Sequence, residues 1–151
     1  MIDVGDKAPE FVLPDESGAS RRLSEYAGRQ LIVYFYPKAM TPGCTTEACD
    51  FRNSGDLLAS AGIAVVGISP DPPSRLATFK QREHLTFSLL SDQDHAVAAA
   101  YGAWGTKKNY GREYEGLIRS TFVIDPAGTV SHVYRNVRAK GHVERLVKEL
   151  L

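Results

Sequence analysis

Short, almost purely apolar segments alternate along the chain with longer segments that mix apolar and charged residues. Residues 31–36 (LIVYFY) and 63–69 (IAVVGIS) are rich in β-branched and aromatic residues without polar alternation, which is typical of strands buried on both faces. Pro37 ends the first of these strands. Residues 45–60 contain no proline, mix apolar with charged positions and are closed by Gly62, so this segment is predicted to be a helix.

The remaining pattern predicts shorter elements of both kinds. Residues 11–13 resemble a short strand that enters a turn at 14–18, and a hairpin is predicted around Asp125-Pro126-Ala127-Gly128. The other predicted elements are hairpin strands at 120–125 and 129–134, and helices at 73–84, 94–101 (capped near Asp92) and 142–150. Central strands that alternate with helices, followed by a late hairpin and a terminal helix, indicate an α/β fold. We expect a single domain over residues 1–151 with a thioredoxin-like topology, in which helices flank a mixed central sheet.

Residues 102–118 are rich in glycine, lysine and aromatic residues and show no clear period. The segment exceeds the length of about 12–15 residues above which unstructured connections are uncommon and are often functional. Two interpretations stay open from the sequence, namely a functional loop and a short strand or edge excursion.

Composition and charge exclude several classes of partner. The 151 residues include 18 basic and 18 acidic side chains, so no electrostatic argument favours nucleic acid or an anionic membrane. The longest apolar run, residues 31–37, is far shorter than the roughly 18 residues of a membrane span, and the first residues lack the apolar core of a secretory signal. We therefore expect a cytoplasmic protein. A cytosolic chain rarely uses two cysteines as a structural staple, which leaves reactive or simply buried thiols.

The segment 37–52 (PKAMTPGCTTEACDFR) contains both cysteines. It places Cys44 where a buried strand has ended and a helix is about to begin. Unpaired backbone N–H groups at a helix start carry partial positive charge and favour a thiolate, which is the nucleophilic form of cysteine. The position therefore predicts a reactive sulfur.

The residues before Cys44 suit a loop that wraps a thiol. The Thr41 hydroxyl is in a position to donate to the sulfur or to a bound oxygen, Pro37 and Pro42 stiffen the loop, and Gly43 lets the backbone approach a small ligand. The alternative is an ordinary turn that leads into a helix, and without the cysteine that alternative would be preferred.

Cys49 follows Cys44 by five residues. In an intact helix this spacing separates the two Cα atoms by roughly 8.7 Å, whereas a disulfide needs them within about 7 Å. The pair can close a disulfide only if the first turn unwinds, so oxidation should be coupled to local unfolding. In the reduced state we expect Cys49 to be a buried, apolar residue that faces the sheet.

At these residues the chain closely resembles the peroxiredoxins, specifically the bacterioferritin comigratory protein (Q-type) subfamily. Pro37, Thr41 and Cys44 match the pattern Pro-x-x-x-Thr-x-x-Cys, and Cys49 occupies the position of the resolving cysteine in that subfamily. The likeness covers essentially the whole chain, and further matching segments are 5–11 (GDKAPEF), 67–71 (GISPD), 89–92 (LLSD), 101–105 (YGAWG) and 141–142 (GH).

The resemblance implies roles that spacing alone does not show. Arg119 matches the arginine that holds the thiolate and the peroxide oxygens, although by itself it would be interpreted as a surface charge at the start of a strand. Glu47 matches the glutamate that orients this arginine; alone it would be an ordinary acid in the first turn of a helix. Trp104 lies where the family has an aromatic residue near the site, and a packing role is at least as plausible. Pro37, Gly43 and Trp104 are the expected substrate-binding residues, and Cys44, Cys49, Thr41, Arg119 and Glu47 the expected catalytic ones.

The implied activity is a thiol-dependent reduction of hydrogen peroxide and organic hydroperoxides, with a role in antioxidant defence. Cys44 would become a sulfenic acid, Cys49 would condense with it to an internal disulfide, and thioredoxin or a similar dithiol would reduce that disulfide. The resemblance implies no metal or other cofactor, and the protein is expected to be a monomer.

Three other functions compete with this one. A disulfide reductase predicts Cys-x-x-Cys, which is absent. A zinc module would need two histidines beside the cysteines, but His84, His95, His132 and His142 have no ligand-like spacing. A redox sensor begins with the same chemistry, so the sequence leaves that alternative open.

Overall fold

Nine strands and five helices make up the computed structural model, which describes all of residues 1–151. The strands are β1 (Val12–Pro14), β2 (Ser20–Arg22), β3 (Gln30–Phe35), β4 (Ile63–Ser69), β5 (Ser88–Ser91), β6 (Trp104–Asn109), β7 (Arg112–Leu117), β8 (Ser120–Ile124) and β9 (Val130–Tyr134). The helices are α1 (Pro42–Asn53), α2 (Gly55–Ser60), α3 (Pro73–Glu83), α4 (Ala96–Ala100) and α5 (His142–Leu150), and a 3₁₀ turn spans Leu23–Tyr26. None of the helices has the length and apolar character needed to cross a membrane.

The central sheet has five strands in the order β5-β4-β3-β8-β9. β3, β4 and β5 run parallel to one another, whereas β8 is antiparallel to β3 and β9 is antiparallel to β8. The parallel strands are connected through helices, as parallel pairs require, and the antiparallel pair β8–β9 is the predicted late hairpin. The mixed central sheet of the thioredoxin-like prediction is confirmed.

The lack of polar alternation in β3 follows from its central position in this sheet. Ile32 and Tyr34 belong to the hydrophobic cluster on one face, and Leu31, Val33 and Phe35 belong to the cluster on the other. Helices α1, α3 and α5 cover the first face, which contains the Cys44 side chain. The second face is covered by the amino-terminal segment, by α4 and by the β6–β7 region, with Phe11, Ala98 and Leu117 among the buried contacts.

The predicted helix 45–60 is two helices, and it begins earlier than expected. α1 starts at Pro42, whose missing N–H costs little in the first turn. The break comes at Ser54, before Gly55, where two residues of low helix propensity follow one another. Cys44 therefore lies inside the first turn of α1 rather than just before it.

Residues 102–118 contain a β-hairpin, so the second of the two open interpretations holds. β6 and β7 pair antiparallel from Trp104 with Leu117 to Asn109 with Arg112. The two loop residues, Tyr110 and Gly111, both have positive φ (52° and 77°), which is the backbone of the tight turn that matches strand twist. Because most of its side chains are exposed on both faces, this hairpin has little of the apolar pattern by which strands are predicted.

The other predicted elements are present, and those that differ do so only at their ends. β4 and α5 have the predicted bounds, α3 ends at Glu83, and α4 is shorter than predicted. The carboxylate of Asp92 accepts hydrogen bonds from the backbone N–H groups of Val97 and Ala98 at 3.2 and 2.9 Å, so the capping role of Asp92 is confirmed.

Gly67 is required by the packing between β3 and β4. It pairs with Tyr34, and a Cβ added at Gly67 would lie 2.9 Å from atoms of the Tyr34 ring. This ring cannot move aside easily, because it is fully buried and stacks on Phe51 with a centroid distance of 4.5 Å.

We expect Gly67→Ala to lower the free energy of unfolding by about 1–3 kcal/mol, as overpacking of a core does. Chemical denaturation followed by circular dichroism measures this change. Gly55→Ala is the matched control, because the nearest atom to its added Cβ is Thr86 Oγ1 at 3.7 Å. Equal stability of the two variants would show that the Tyr34 ring does not confine position 67.

Candidate active site

Cys44 is the third residue of α1, and its side chain is buried, with a relative exposure of 1 %. The loop that leads to it leaves β3 at Phe35 and contains Pro37, which is partly buried. The backbone N–H of Thr45 already donates to Thr41 O at 2.9 Å, so the first helical turn is formed around the thiol. Backbone N–H groups of this turn remain without helical partners and give the site partial positive charge.

Arg119 contacts the Cys44 thiol. Its Nη2 atom lies 3.4 Å from Cys44 Sγ and donates to it. The register of the sheet explains the contact, because Phe35 at the end of β3 pairs with Ser120 at the start of β8. Arg119 immediately precedes that pair and therefore lies beside the loop that carries Cys44. The guanidinium thus places a positive charge directly beside the sulfur.

Gly43 makes room for this arginine. A Cβ at Gly43 would lie 3.2 Å from Arg119 Nη2, which is tighter than ordinary contact. The sequence predicts that Gly43 lets a small ligand approach the backbone closely. The group that makes this close approach in the structure is the Arg119 guanidinium.

Glu47 anchors the other side of the guanidinium. Arg119 Nη1 donates to Glu47 Oε1 at 2.6 Å, and Glu47 is completely buried. Glu47 follows Cys44 by three residues and therefore shares its face of α1. Burial raises the pKa of Glu47 to about 7, and the positive charge of Arg119 opposes this shift. Burial would lower the pKa of Arg119, but Glu47 and Cys44 raise it above its usual value.

The Thr41 hydroxyl does not donate to the sulfur. It donates to the backbone carbonyl of Lys38 at 2.7 Å, within the same loop. A hydroxyl has one proton to donate and two lone pairs that accept. The expectation that Thr41 donates to Cys44 is therefore wrong in this state, and the oxygen of Thr41 remains available as an acceptor.

Cys49 does not face the sheet, contrary to expectation. It is partly exposed, and its Sγ atom lies 3.5 Å from Glu83 Oε1 at the end of α3. Position 49 is rotated away from position 44 by roughly 140° around the helix axis, so the two side chains face different neighbours. Both cysteines are free thiols within one continuous helix, which is the arrangement for which the spacing argument excludes a direct disulfide.

Trp104 is not part of the site. It packs against the hydrophobic cluster on the opposite face of the sheet from Cys44, and its ring stacks on His95 with a centroid distance of 3.7 Å. The expected substrate-binding role of Trp104 is therefore wrong, and the packing alternative holds. The reason is the β6–β7 hairpin, which starts at Trp104 and lies over that second face.

A carboxylate that sequence reasoning did not assign supports the loop. Asp71 Oδ2 accepts hydrogen bonds from the backbone N–H of Ala39 and from Ser69 Oγ, both at 2.8 Å. Arg75 donates to the carbonyl of Ala39 at 3.0 Å and forms an ion pair with Asp71 at 3.2 Å. The position of Asp71 just beyond the end of β4 was the available signal, since the carboxyl ends of parallel strands meet at one edge of a sheet.

Two of the four histidines of the zinc alternative are engaged elsewhere. His142 is buried, with Nε2 at 2.8 Å from Thr121 Oγ1, and His95 stacks on Trp104. No three His, Cys, Asp or Glu side chains are grouped in a way that could hold a metal ion.

Comparisons with known proteins show similarity along almost the whole chain. A sequence profile described as the AhpC/TSA family matches residues 4–133. The chain is 44 % identical to peroxiredoxin Bcp of Bacillus subtilis over 149 residues, which cover 99 % of this chain and 95 % of that protein. It is 45 % identical to peroxiredoxin Bcp of Escherichia coli over 141 residues, which cover 93 % and 90 % respectively.

Solved structures give the same result. The bacterioferritin comigratory protein of Xanthomonas campestris, which was studied for alkyl peroxide reduction, superposes with a TM-score of 0.88 at 34 % identity and covers 93 % of this chain and 89 % of its own. The peroxidoxin BcpB of Mycobacterium tuberculosis superposes with a TM-score of 0.87 at 36 % identity, covering 99 % and 97 %.

The raised pKa of Glu47 predicts a pH-dependent stability. Between its ordinary value of 4.5 and its folded value of about 7, the folded state binds more protons at Glu47 than the unfolded state does. The stabilising contribution of Glu47 is therefore lost as the pH rises through this window. Glu47→Gln removes this titrating group. Between pH 5 and pH 8 the free energy of unfolding of this variant should therefore rise by about 1–3 kcal/mol relative to that of the unsubstituted protein.

Urea unfolding at the two pH values measures this difference. Glu144→Gln, at an exposed position on α5, is the control and should show no such gain. A Glu47→Gln difference that is the same at pH 5 and pH 8 would contradict the raised pKa.

Proposed function

The chain belongs to the AhpC/TSA family and is a thiol peroxidase that reduces hydroperoxides with a thiol reductant, and we propose that Cys44 is its nucleophile. The observation that carries the proposal is the double contact of Arg119, whose guanidinium touches Cys44 Sγ at 3.4 Å and Glu47 Oε1 at 2.6 Å. A fixed positive charge beside a thiol in the first turn of a helix stabilises the thiolate.

In the first step the Cys44 thiolate attacks the distal oxygen of the hydroperoxide. A sulfur–oxygen bond forms and the oxygen–oxygen bond breaks, so the sulfur is oxidised to a sulfenic acid and the peroxide is reduced. The departing oxygen takes a proton from solvent and leaves as water or an alcohol. Arg119 and the backbone N–H groups of Gly43 and Cys44 stabilise the negative charge that develops on oxygen.

Thr41 and Pro37 orient the substrate. The Thr41 proton is directed to Lys38 O, so the Thr41 oxygen accepts a hydrogen bond from the O–H of the hydroperoxide. Pro37 fixes the direction in which the loop leaves β3 and leads to Thr41 at the start of α1.

In the second step the Cys49 thiol attacks the sulfenic sulfur. A disulfide bond forms, the sulfur–oxygen bond breaks, and the hydroxyl leaves with the thiol proton as water. Because α1 holds the two Cα atoms roughly 8.7 Å apart, its first turns must unwind before this bond forms.

An external dithiol then reduces the disulfide by thiol–disulfide exchange. We propose thioredoxin as this dithiol, since recycling by thioredoxin is typical of the family. We also propose that the protein acts as a monomer in the cytoplasm, because an internal disulfide requires no partner subunit and the cytoplasm keeps such dithiols reduced. Its role there is antioxidant defence.

Cys44→Ser should abolish the consumption of peroxide, because a serine hydroxyl is not ionised at neutral pH and cannot replace the thiolate. A steady-state assay coupled to thioredoxin and its reductase, run with hydrogen peroxide and an alkyl hydroperoxide, measures the loss. Cys49→Ser, which retains the nucleophile, is the matched control for folding. Retention of most of the rate in Cys44→Ser would disprove the assignment.

Cys49→Ser should consume one equivalent of peroxide and then stop with thioredoxin as reductant, because the sulfenic acid at Cys44 has no internal partner. Mass spectrometry after treatment with a sulfenic-acid trap should find one adduct, located on Cys44. If neither this adduct nor a mixed disulfide forms, Cys49 is not the resolving residue.

A further inference from the structure

The last residue of α3, Glu83, holds α1 at two points. Cys49 Sγ donates to Glu83 Oε1 at 3.5 Å, and Arg52 Nη1 donates to the backbone carbonyl of Glu83 at 2.6 Å. The carbonyl is free for this bond because the chain leaves the helix at His84, which adopts the left-handed conformation with φ 53°. We call Cys49, Arg52 and Glu83 together the clasp. Its two residues on α1 both bind the same residue of α3.

The clasp holds the Cys49 thiol on the side of α1 that faces α3. The Cys44 thiol faces Arg119 instead, on the side toward β8. Disulfide formation therefore requires two changes, since the first turns of α1 must unwind and the Cys49 thiol must leave Glu83. The first change follows from the spacing of the cysteines, whereas the second depends on the hydrogen bond between the Cys49 thiol and the Glu83 carboxylate.

We propose that Glu83 is a positioning residue for the resolving step, which holds the Cys49 thiol in its protonated form at the end of α3 until α1 unwinds. The inference rests on the proposed function, in which Cys49 resolves the Cys44 sulfenic acid. In this step the S–S bond forms, the S–O bond of Cys44 breaks and water carries away the thiol proton, so the Glu83 carboxylate is unchanged. Its effect is to delay resolution and to lengthen the life of the sulfenic acid.

The charges around Cys49 favour this protonated state. Burial raises the pKa of the Cys49 thiol, and both the hydrogen bond and the charge of Glu83 raise it further. Asp50 acts in the same direction, whereas Arg52 lowers the pKa. Asp50 and Arg52 lie on α1, and Glu83 lies on α3. Glu83 and Arg52 therefore have opposite effects on the pKa of the Cys49 thiol.

The test measures the second step alone. The protein is oxidised with one equivalent of hydrogen peroxide, free thiols are alkylated at timed intervals, and mass spectrometry follows the conversion of sulfenic acid to disulfide from pH 5.5 to pH 9. At pH 7 we expect Glu83→Gln to resolve at least about threefold faster, because loss of the carboxylate lowers the pKa of the Cys49 thiol and raises its thiolate fraction. The midpoint of its pH profile should move to lower pH.

Arg52→Gln should shift the midpoint of the pH profile in the opposite direction. Its pH midpoint should move to higher pH, because the cation that favours the Cys49 thiolate is lost. Simple loosening of the contact between α1 and α3 would not shift the midpoints of these two variants in opposite directions. Glu83→Asp keeps the charge but shortens the side chain, so it should raise the rate with a smaller shift of the midpoint.

Glu113→Gln, at an exposed position on β7, is the charge-matched control and should resolve like the original chain. If the original chain forms the Cys44–Cys49 disulfide and Glu83→Gln shows the same rate and midpoint, this inference is overturned while the proposed function stands. If the original chain forms no such disulfide, the proposed function itself fails and the inference fails with it. A longer-lived sulfenic acid also predicts that the original chain is overoxidised to sulfinic acid more readily than Glu83→Gln.

Discussion

The contact between the Arg119 guanidinium and the Cys44 thiol depends on the register of the central sheet and on two residues of α1. The pairing of Phe35 with Ser120 brings the start of β8 to the end of β3, and Arg119 immediately precedes that pair. Gly43 leaves space for the guanidinium, and Glu47 anchors it from the next turn of α1. A positive charge close to a cysteine sulfur is one of the features that make such a residue reactive.

Helix α1 has a double role, because it both assembles the site and opposes its turnover. As a formed helix it places Cys44 and Glu47 on one face beside Arg119, and it turns Cys49 toward Glu83 on another. The same regular geometry keeps the two sulfurs too far apart to bond. In the mechanism that we propose, peroxide reduction uses the folded helix and resolution uses its local unfolding, so the stability of a few helical turns links the two steps.

The loop before α1 is supported from outside the helix. Asp71 and Arg75, which follow β4, bind the backbone of Ala39 on both its N–H and its carbonyl side. A loop without regular hydrogen bonds keeps one conformation only when other groups satisfy its backbone. The edge of the parallel strands provides these groups, which is why the site lies where β3 and β4 end.

Local patterns were sufficient to predict β3, β4, the late hairpin, α5 and the place of Cys44 near the start of a helix, because burial and helix starts leave periodic and compositional signals in a short window. Resemblance was needed to assign Arg119 and Glu47, which stand 72 residues apart along the chain and meet only through the strand register. The orientation of side chains was not predictable in the same way. The Thr41 hydroxyl turned to Lys38, Cys49 turned to α3, and Trp104 packed on the opposite face of the sheet. Each of these outcomes depends on which distant element supplies the neighbouring atoms, and only the packing of the whole chain determines that.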